Sequence, residues 1–520
     1  MKRKTCAILA VLLTLALLFG ACGKSSGGND TTQPTTEKKT TQAPDDTAQT
    51  DAPQNADLST FEDAEGLRYV LIYNPRMYNE NNDRNETLTT GRLGSQVDTS
   101  MRRADSLEEA PKYFSVPQNL LAKVNAEDVD LSGSRADSFF TPYKKGDVHE
   151  FYCFDSSYNR MLRKFECIYT GDIANVWRFK DDSKVTDSLA EELVKEFEEK
   201  IYEKDVALFG EPRFADNGHK VNVMLYDTLP QSTAGVFSPL DLFATGEVTD
   251  DQIKHYGVNV DHAMFAVNSS FIGYLEDELI YSTMAHEFQH LINFTDWFEY
   301  EEDVGPSATW INEAMSGFAE DYIYPGVLDP DRYEDIAASD MLRYGQSLYN
   351  FDTKTDSYDF DIGVYGSVFL FSTYLENLAG DKVFHDIHEY WRNAVSTSND
   401  AQAIRSAVSA DVDRKIDAVI TYPDGFVSEL TADEQWLSKL TLSFYLEMLK
   451  YDGSDPEQFE PLDSLTLLYD QVNASDIEGG GRVIVAVKDG SFTVPEDADE
   501  GLVYIGMDKD FNVITQPVFK

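Results

Sequence analysis

Hydrophobic and polar positions change period along this chain, and the changes divide it. A basic start (Lys2, Arg3, Lys4) leads into an unbroken apolar run from Cys6 to Phe19. That run is shorter than the roughly 20 residues of a membrane-spanning helix, and it ends in small residues, as a secretory signal does. From Cys22 to about Ser59 large apolar residues almost vanish, leaving Gly, Ser, Thr, Pro, Gln and Asp. Such a tract cannot offset its ordering entropy and reads as a flexible tether, with a reach on the order of 130 Å when fully extended. Strand character follows at Arg68–Tyr73, His149–Phe154, Lys164–Tyr169 and Ala174–Phe179. The period then turns helical. Leu189, Leu193, Phe197 and Ile201 predict one helix over Asp187–Asp205, capped by Ser188. Lys220–Tyr226 and Ala263–Val267 are strands, helices dominate from 276 to 450, and Arg482–Lys488 and Gly501–Ile505 are strands again. The expected organisation is a signal over 1–21, a tether over 22–59, a β-rich N-terminal domain over 60–182, a larger domain over 183–450 and a small β-rich C-terminal domain over 451–520. The fold class is α+β.

Composition narrows the function. Of 520 residues, 42% are hydrophobic, and 28 Tyr and 31 Phe are too many for a disordered acidic chain. A formal charge of −49 argues against a nucleic-acid binder, which needs a basic surface, and against electrostatic docking on anionic lipid. Cysteine numbers four. Cys6 leaves with the signal. Leu18-Phe19-Gly20-Ala21-Cys22 resembles a bacterial lipobox, which would make Cys22 a lipidated N-terminus and hold the chain outside the cytoplasm on the cell membrane. The alternative is an ordinary secretory signal cut near Ala21. Cys153 and Cys167 flank a polar turn, Asp155–Asn159, and form either a cross-strand disulfide or two buried thiols.

Candidate chemistry is concentrated in His286-Glu287-Phe-Gln-His290. On a helix the two histidines share one face, so both imidazoles can bind one metal. Glu287 lies about 100° round the axis and can reach a water on that metal without ligating it. Met284, Phe288 and Leu291 form an apolar stripe that buries the helix and fixes its geometry. A His₂ zinc site needs a third protein ligand and keeps the fourth position for water. Glu313 is the candidate, on a second helix that starts near Pro306 and Ser307 and is packed through Trp310, Ile311, Met315 and Phe318; the plainer reading is a solvated helix carboxylate.

Asn312-Glu313-Ala-Met-Ser316 after an H-E-x-x-H helix resembles the gluzincin branch of zinc peptidases. Ser282-Thr-Met-Ala-His-Glu-Phe-Gln-His-Leu-Ile-Asn-Phe294 with Trp310-Ile-Asn-Glu-Ala-Met-Ser-Gly-Phe-Ala-Glu-Asp321 is similar to the hyicolysin family of neutral metallopeptidases. The likeness extends from about Ala174 to Gly380 and takes in Val221–Asp227 and Gly235-Val-Phe-Ser238. It implies a zincin-like core over 183–450, one Zn²⁺ per chain on His286, His290 and Glu313, Glu287 as general base, and protein or peptide substrates. It also implies a Tyr or His donor to the oxyanion, for which Tyr365 is the candidate against a core role, and an edge strand that aligns the peptide, for which Ala263–Val267 is the candidate. Gly317 stands where thermolysin-like enzymes carry the Asp that orients a zinc-binding histidine; Glu320 or Asp321 could replace it. That departure leaves open a second reading, an inactive peptidase scaffold serving binding or adhesion as a surface lipoprotein. His385 and His388 lack a completing acidic motif, and neither Asp359 and Asp361 nor Glu299–Asp303 has the spacing of a Ca²⁺ loop.

Overall fold

The computed structural model describes residues 60–61, 65–77, 87–98, 143–180, 182, 184–212, 219–231, 233–243, 248–298, 308–327, 345–349, 351, 363–393, 400–450 and 475–520. The signal, Cys22, the tether, Glu299–Asp303, Pro306, Ser307, Asp359 and Asp361 lie outside the described residues. The chain begins with β1 (Thr60–Phe61), β2 (Tyr69–Tyr73) and β3 (Leu88–Thr89). Next come β4 (Val148–Phe154), β5 (Arg160–Thr170), β6 (Ala174–Phe179) and helix α1 (Asp187–Glu196), which passes through a π turn (Phe197–Ile201) into α2 (Tyr202–Phe209). Strands β7 (Val221–Tyr226) and β8 (Gly235–Phe237), helix α3 (Asp250–Tyr256) and strand β9 (Met264–Asn268) lead to the two motif helices, α4 (Asp277–Phe298) and α5 (Thr309–Ile323). Helices α6 (Gly363–Ala379), α7 (Lys382–Asn393), α8 (Asp400–Ala407), α9 (Ala410–Asp417) and α10 (Ala432–Lys450) follow. The chain closes with β10 (Asp476–Ile477), β11 (Arg482–Ala486), β12 (Phe492–Thr493), β13 (Val503–Met507) and β14 (Val518–Phe519).

Among the described residues six strands make a mixed sheet in the order β4-β5-β6-β7-β9-β8, parallel across β6, β7 and β9 and antiparallel elsewhere. β7 is buried at every position because both its faces are covered, as an interior parallel strand requires. Val221, Val223 and Leu225 meet the helices, while Met224 and Tyr226 join Phe151, Phe165 and Trp177 on the other face. The one polar residue in β7, Asn222, accepts the indole N–H of Trp177 at 2.9 Å. α4 lies under this sheet with Met284, Phe288 and Leu291 wholly buried, and α5 and α6 pack beyond it in the same core. The architecture is α+β, consistent with a zincin-like core.

Strand pairing among the described residues joins segments far apart in the chain. β2 lies between β11 and β13, with Tyr69–Tyr73 opposite both Arg482–Ala486 and Val503–Met507. β1 pairs with β12 and β3 with β10, whereas β4–β6 join the main sheet. Among the described residues, β1–β3 therefore pair with strands of 475–520, while β4–β6 pair within the six-stranded sheet. Val70, Leu71, Ile72 and Tyr73 are fully buried between C-terminal neighbours, a contact between chain ends that no local period can encode.

Two local expectations also change, and one alternative left open by the sequence is decided. Helix α1 is capped by Thr186, which accepts from Leu189 N–H at 3.2 Å, and not by Ser188. Cys153 and Cys167 are free buried thiols; the register puts Cys153 opposite Met161 and Cys167 opposite Trp177, too far apart along the strands for a bridge. Burial pushes the Cys153 thiol up to about 12, despite the opposing charge of Arg160. The strand expected at the sheet edge, Ala263–Val267, is interior: β8 covers it antiparallel, Gly235 opposite Val267 and Phe237 opposite Phe265.

Candidate metal centre

The site is made where α4 and α5 cross. The polar side chains enclosed where the two helices cross must satisfy one another. His286, Glu287 and His290 on α4 and Glu313, Ser316 and Glu320 on α5 are all at most a few per cent exposed. α5 begins without a side-chain cap of its own; Asp400, from the start of α8, accepts the Ala308 N–H at 2.9 Å and fixes that end.

His286, His290 and Glu313 bring one ligand atom each to within 4.8 Å of one another. Glu313 Oε2 lies 3.4 Å from His286 Nε2 and 3.6 Å from His290 Nε2. Donors about 2.1 Å from a tetrahedral zinc stand about 3.4 Å apart, so the two spacings are those of ligands sharing one ion. His286 Nε2 is buried and faces the Glu313 carboxylate. The two imidazole planes meet at 85° with centroids 4.7 Å apart, which lets both nitrogens converge without stacking. The residues present therefore fit zinc in donor type, number and spacing.

The far sides of the histidines are held. His286 Nδ1 donates to Glu320 Oε1, so Glu320 occupies the place left by Gly317. Asp321 faces elsewhere, accepting the Gly326 N–H at 3.1 Å. Gly317 itself packs on α6: a Cβ there would stand 3.5 Å from Phe369 Cβ, in van der Waals contact. His290 Nδ1 lies 3.0 Å from Ser316 Oγ, which is 2.9 Å from the Asn312 carbonyl. Burial opposes a charge on His286, but the Glu320 and Glu313 carboxylates overcome it and raise the imidazole to about 10. In the metal-free chain its proton supplies the positive charge that those carboxylates require. Burial and the charge of His286 push His290 well below the usual range, so it stays neutral and able to ligate.

No protein-family model matches the chain. Over 348 residues it is 25% identical to the neutral metalloprotease ShpI of Staphylococcus hyicus, an alignment spanning 65% of this chain and 75% of that protein. The chain is similar to a neutral metalloprotease. Its buried His-His-Glu cluster is where the metal of such a protein could sit.

Other candidates fall where their packing dictates. Glu287 is buried beside the cluster and its charge acts on His286. Tyr365, in the first turn of α6, is buried with its ring 5.0 Å from Phe351. His388 is enclosed by Phe209 and Trp391, while His385 is open to solvent. Ser316 and Asp205 were not singled out from the sequence. Ser316 carried a signal, since three residues after Glu313 it must share that helix face. Asp205 carried none. It is wholly buried on α2 with both oxygens lacking hydrogen bonds, and burial drives its carboxyl well above the ordinary range against the pull of His286. Among the described residues no helix is long and apolar enough to cross a membrane.

Proposed function

We propose that the chain is a hyicolysin-like, gluzincin-type zinc endopeptidase, working outside the cytoplasm and held to a bacterial membrane by lipid on Cys22. The observation that carries this reading is the 3.4 and 3.6 Å spacing of three buried donors on two packed helices. A bound zinc on His286, His290 and Glu313 would lower the pKa of water towards 7 and polarise the scissile carbonyl. Glu287 takes the proton from the attacking water and hands it to the leaving nitrogen as the C–N bond breaks and the C–O bond forms. Glu320 holds the Nδ1 proton of His286 and thereby keeps Nε2 facing the cluster; Ser316 does the same for His290. The outer edge of β8 offers backbone N–H and C=O groups to an extended peptide. The Tyr365 hydroxyl donates a hydrogen bond to the developing oxyanion. Glu320 in place of the expected Asp also supports this reading over an inactive scaffold, since the histidine keeps its orienting carboxylate.

Casein cleavage by the purified chain tests the proposal: cleavage should stop with a zinc chelator and return with added zinc. Cleavage indifferent to chelator would remove the zinc mechanism. For the anchor, Cys22→Ala should move the protein from the membrane fraction to the medium; unchanged fractionation would rule the lipid out.

A further inference from the structure

Strand β8 touches the site through its first residue. An ideal Cβ on Gly235 would stand 2.6 Å from Thr283 Cγ2, 2.8 Å from Glu287 Oε1 and 2.9 Å from Glu287 Cγ. Real Cβ atoms do not approach so closely, so this position has room for hydrogen alone. The backbone does not ask for glycine here, because Gly235 is not among the residues with positive φ. Space makes the demand, and the space is filled by the carboxylate of Glu287.

Neither wall of this seat can step back. Asn268 N–H donates to the Ala234 carbonyl at 2.8 Å, and its side-chain amide donates to the Thr233 and Pro230 carbonyls at 2.8 and 3.1 Å. Phe237, on the same face of β8 as Gly235, packs with its ring 5.5 Å from Phe294 and 6.4 Å from His290. On the helix side, Thr283 is one turn before Glu287 and its hydroxyl donates to the Leu279 carbonyl at 2.9 Å. That bond fixes the rotamer that turns Cγ2 towards the strand, and a β-branched side chain in a helix has little freedom to leave it.

We infer that Gly235 and Thr283 form a steric seat that sets where the Glu287 carboxylate stands relative to the His286–His290–Glu313 cluster. Both are positioning residues acting through the base. The inference rests on Glu287 being that base, and it explains why the strand offered to substrate opens with a glycine. A methyl group at 235 pushes the carboxylate aside while leaving the three ligands in place.

The test compares Gly235→Ala, Gly235→Ala/Thr283→Ser, Glu287→Ala and Gly235→Ala/Glu287→Ala with the parent chain. Gly235→Ala should keep its zinc and hold KM within about twofold while kcat falls about a hundredfold, the effect of misplacing a reacting group by about 1 Å. Thr283→Ser removes Cγ2 and keeps the hydroxyl bond, so the double variant should recover several-fold in kcat. An activity-free readout runs beside it: the Tm loss caused by Gly235→Ala in metal-free protein should at least halve in the Glu287→Ala background, where only the Thr283 contact remains. Parental kcat in Gly235→Ala, or the same Tm loss in both backgrounds, overturns the seat. So does failure of Gly235→Ala to fold in either background, since the glycine would then serve the strand. A parent chain that cleaves nothing refutes the peptidase reading instead, and the Tm comparison still decides the seat.

Discussion

Glu320→Gln isolates the contact that stands in for a missing motif residue. The substitution keeps an oxygen able to accept from His286 Nδ1 and removes only the charge. A hydrogen bond to a charged group contributes about 1.5–3 kcal/mol, against about 1 kcal/mol for a neutral one, and losing such an outer partner weakens metal binding about 10–100-fold. Glu320→Gln should therefore fall near tenfold and Glu320→Ala near a hundredfold, or about 1.4 and 2.8 kcal/mol. Competition for zinc with a chromophoric chelator at pH 7.5 reads both. Asp321→Asn is the internal control, because Asp321 faces Gly326, and its affinity should stay within about twofold of the parent. A pH series adds a second signature. His286 is raised to about 10 by the two carboxylates against its burial, so zinc must displace a proton at neutral pH, and affinity should rise about tenfold per pH unit between pH 7 and 9. Glu320→Gln weakens the pull on that proton and should flatten the upper part of this slope. Parental affinity in Glu320→Ala, or an equal loss in Asp321→Asn, would refute the assignment.

Burial raises Asp400 from 3.8 to about 7 in the fold while it accepts from Ala308 at the start of α5. Its contribution to stability is thus fully present below about pH 3.8 and is lost as pH rises through 7; Asp400→Asn, which can keep the acceptor, should flatten the Tm–pH curve of metal-free protein between pH 5 and 8, and an unchanged curve would contradict this. Cys153 and Cys167 should resist alkylation in the native protein and both react on unfolding without reductant, as peptide masses will show; a mass shift that needs reductant would mean a disulfide. Tyr365→Phe should lower kcat by about 10²-fold if its hydroxyl serves the oxyanion, with zinc content unchanged, and full activity would return Tyr365 to a purely core role.

The active helix was legible because its chemistry is local: two histidines and a glutamate at helical spacing need no partner to be read. Glu313 required only the expectation that a packed second helix returns alongside. The substitution of Glu320 for the residue missing at Gly317 could be narrowed to two neighbours, and helix phase decided between them, since Glu320 faces His286 and Asp321 does not. The sheet edge was misplaced because β8 is only Gly235–Phe237, too short for a period-2 signal to accumulate. The pairing of distant strands was not legible for a different reason. β2, β11 and β13 are recognisable in the sequence and β14 is not, and their order depends on β2 arriving from far upstream in the chain. Two cysteines flanking the polar turn between β4 and β5 left a disulfide and two thiols equally open, and only the register shows the thiols displaced along the hairpin.

Glu287→Gln measures the central claim most directly. Zinc per chain and the rate of casein or fluorogenic-peptide cleavage are determined on the same preparations of parent and variant. The variant loses the group that accepts the proton and keeps all three ligands, His286, His290 and Glu313. It should retain about one zinc per chain and lose at least about 10²-fold in rate, the scale of a general base. Cleavage at the parental rate by the variant, or a parent that holds no zinc, would contradict the account.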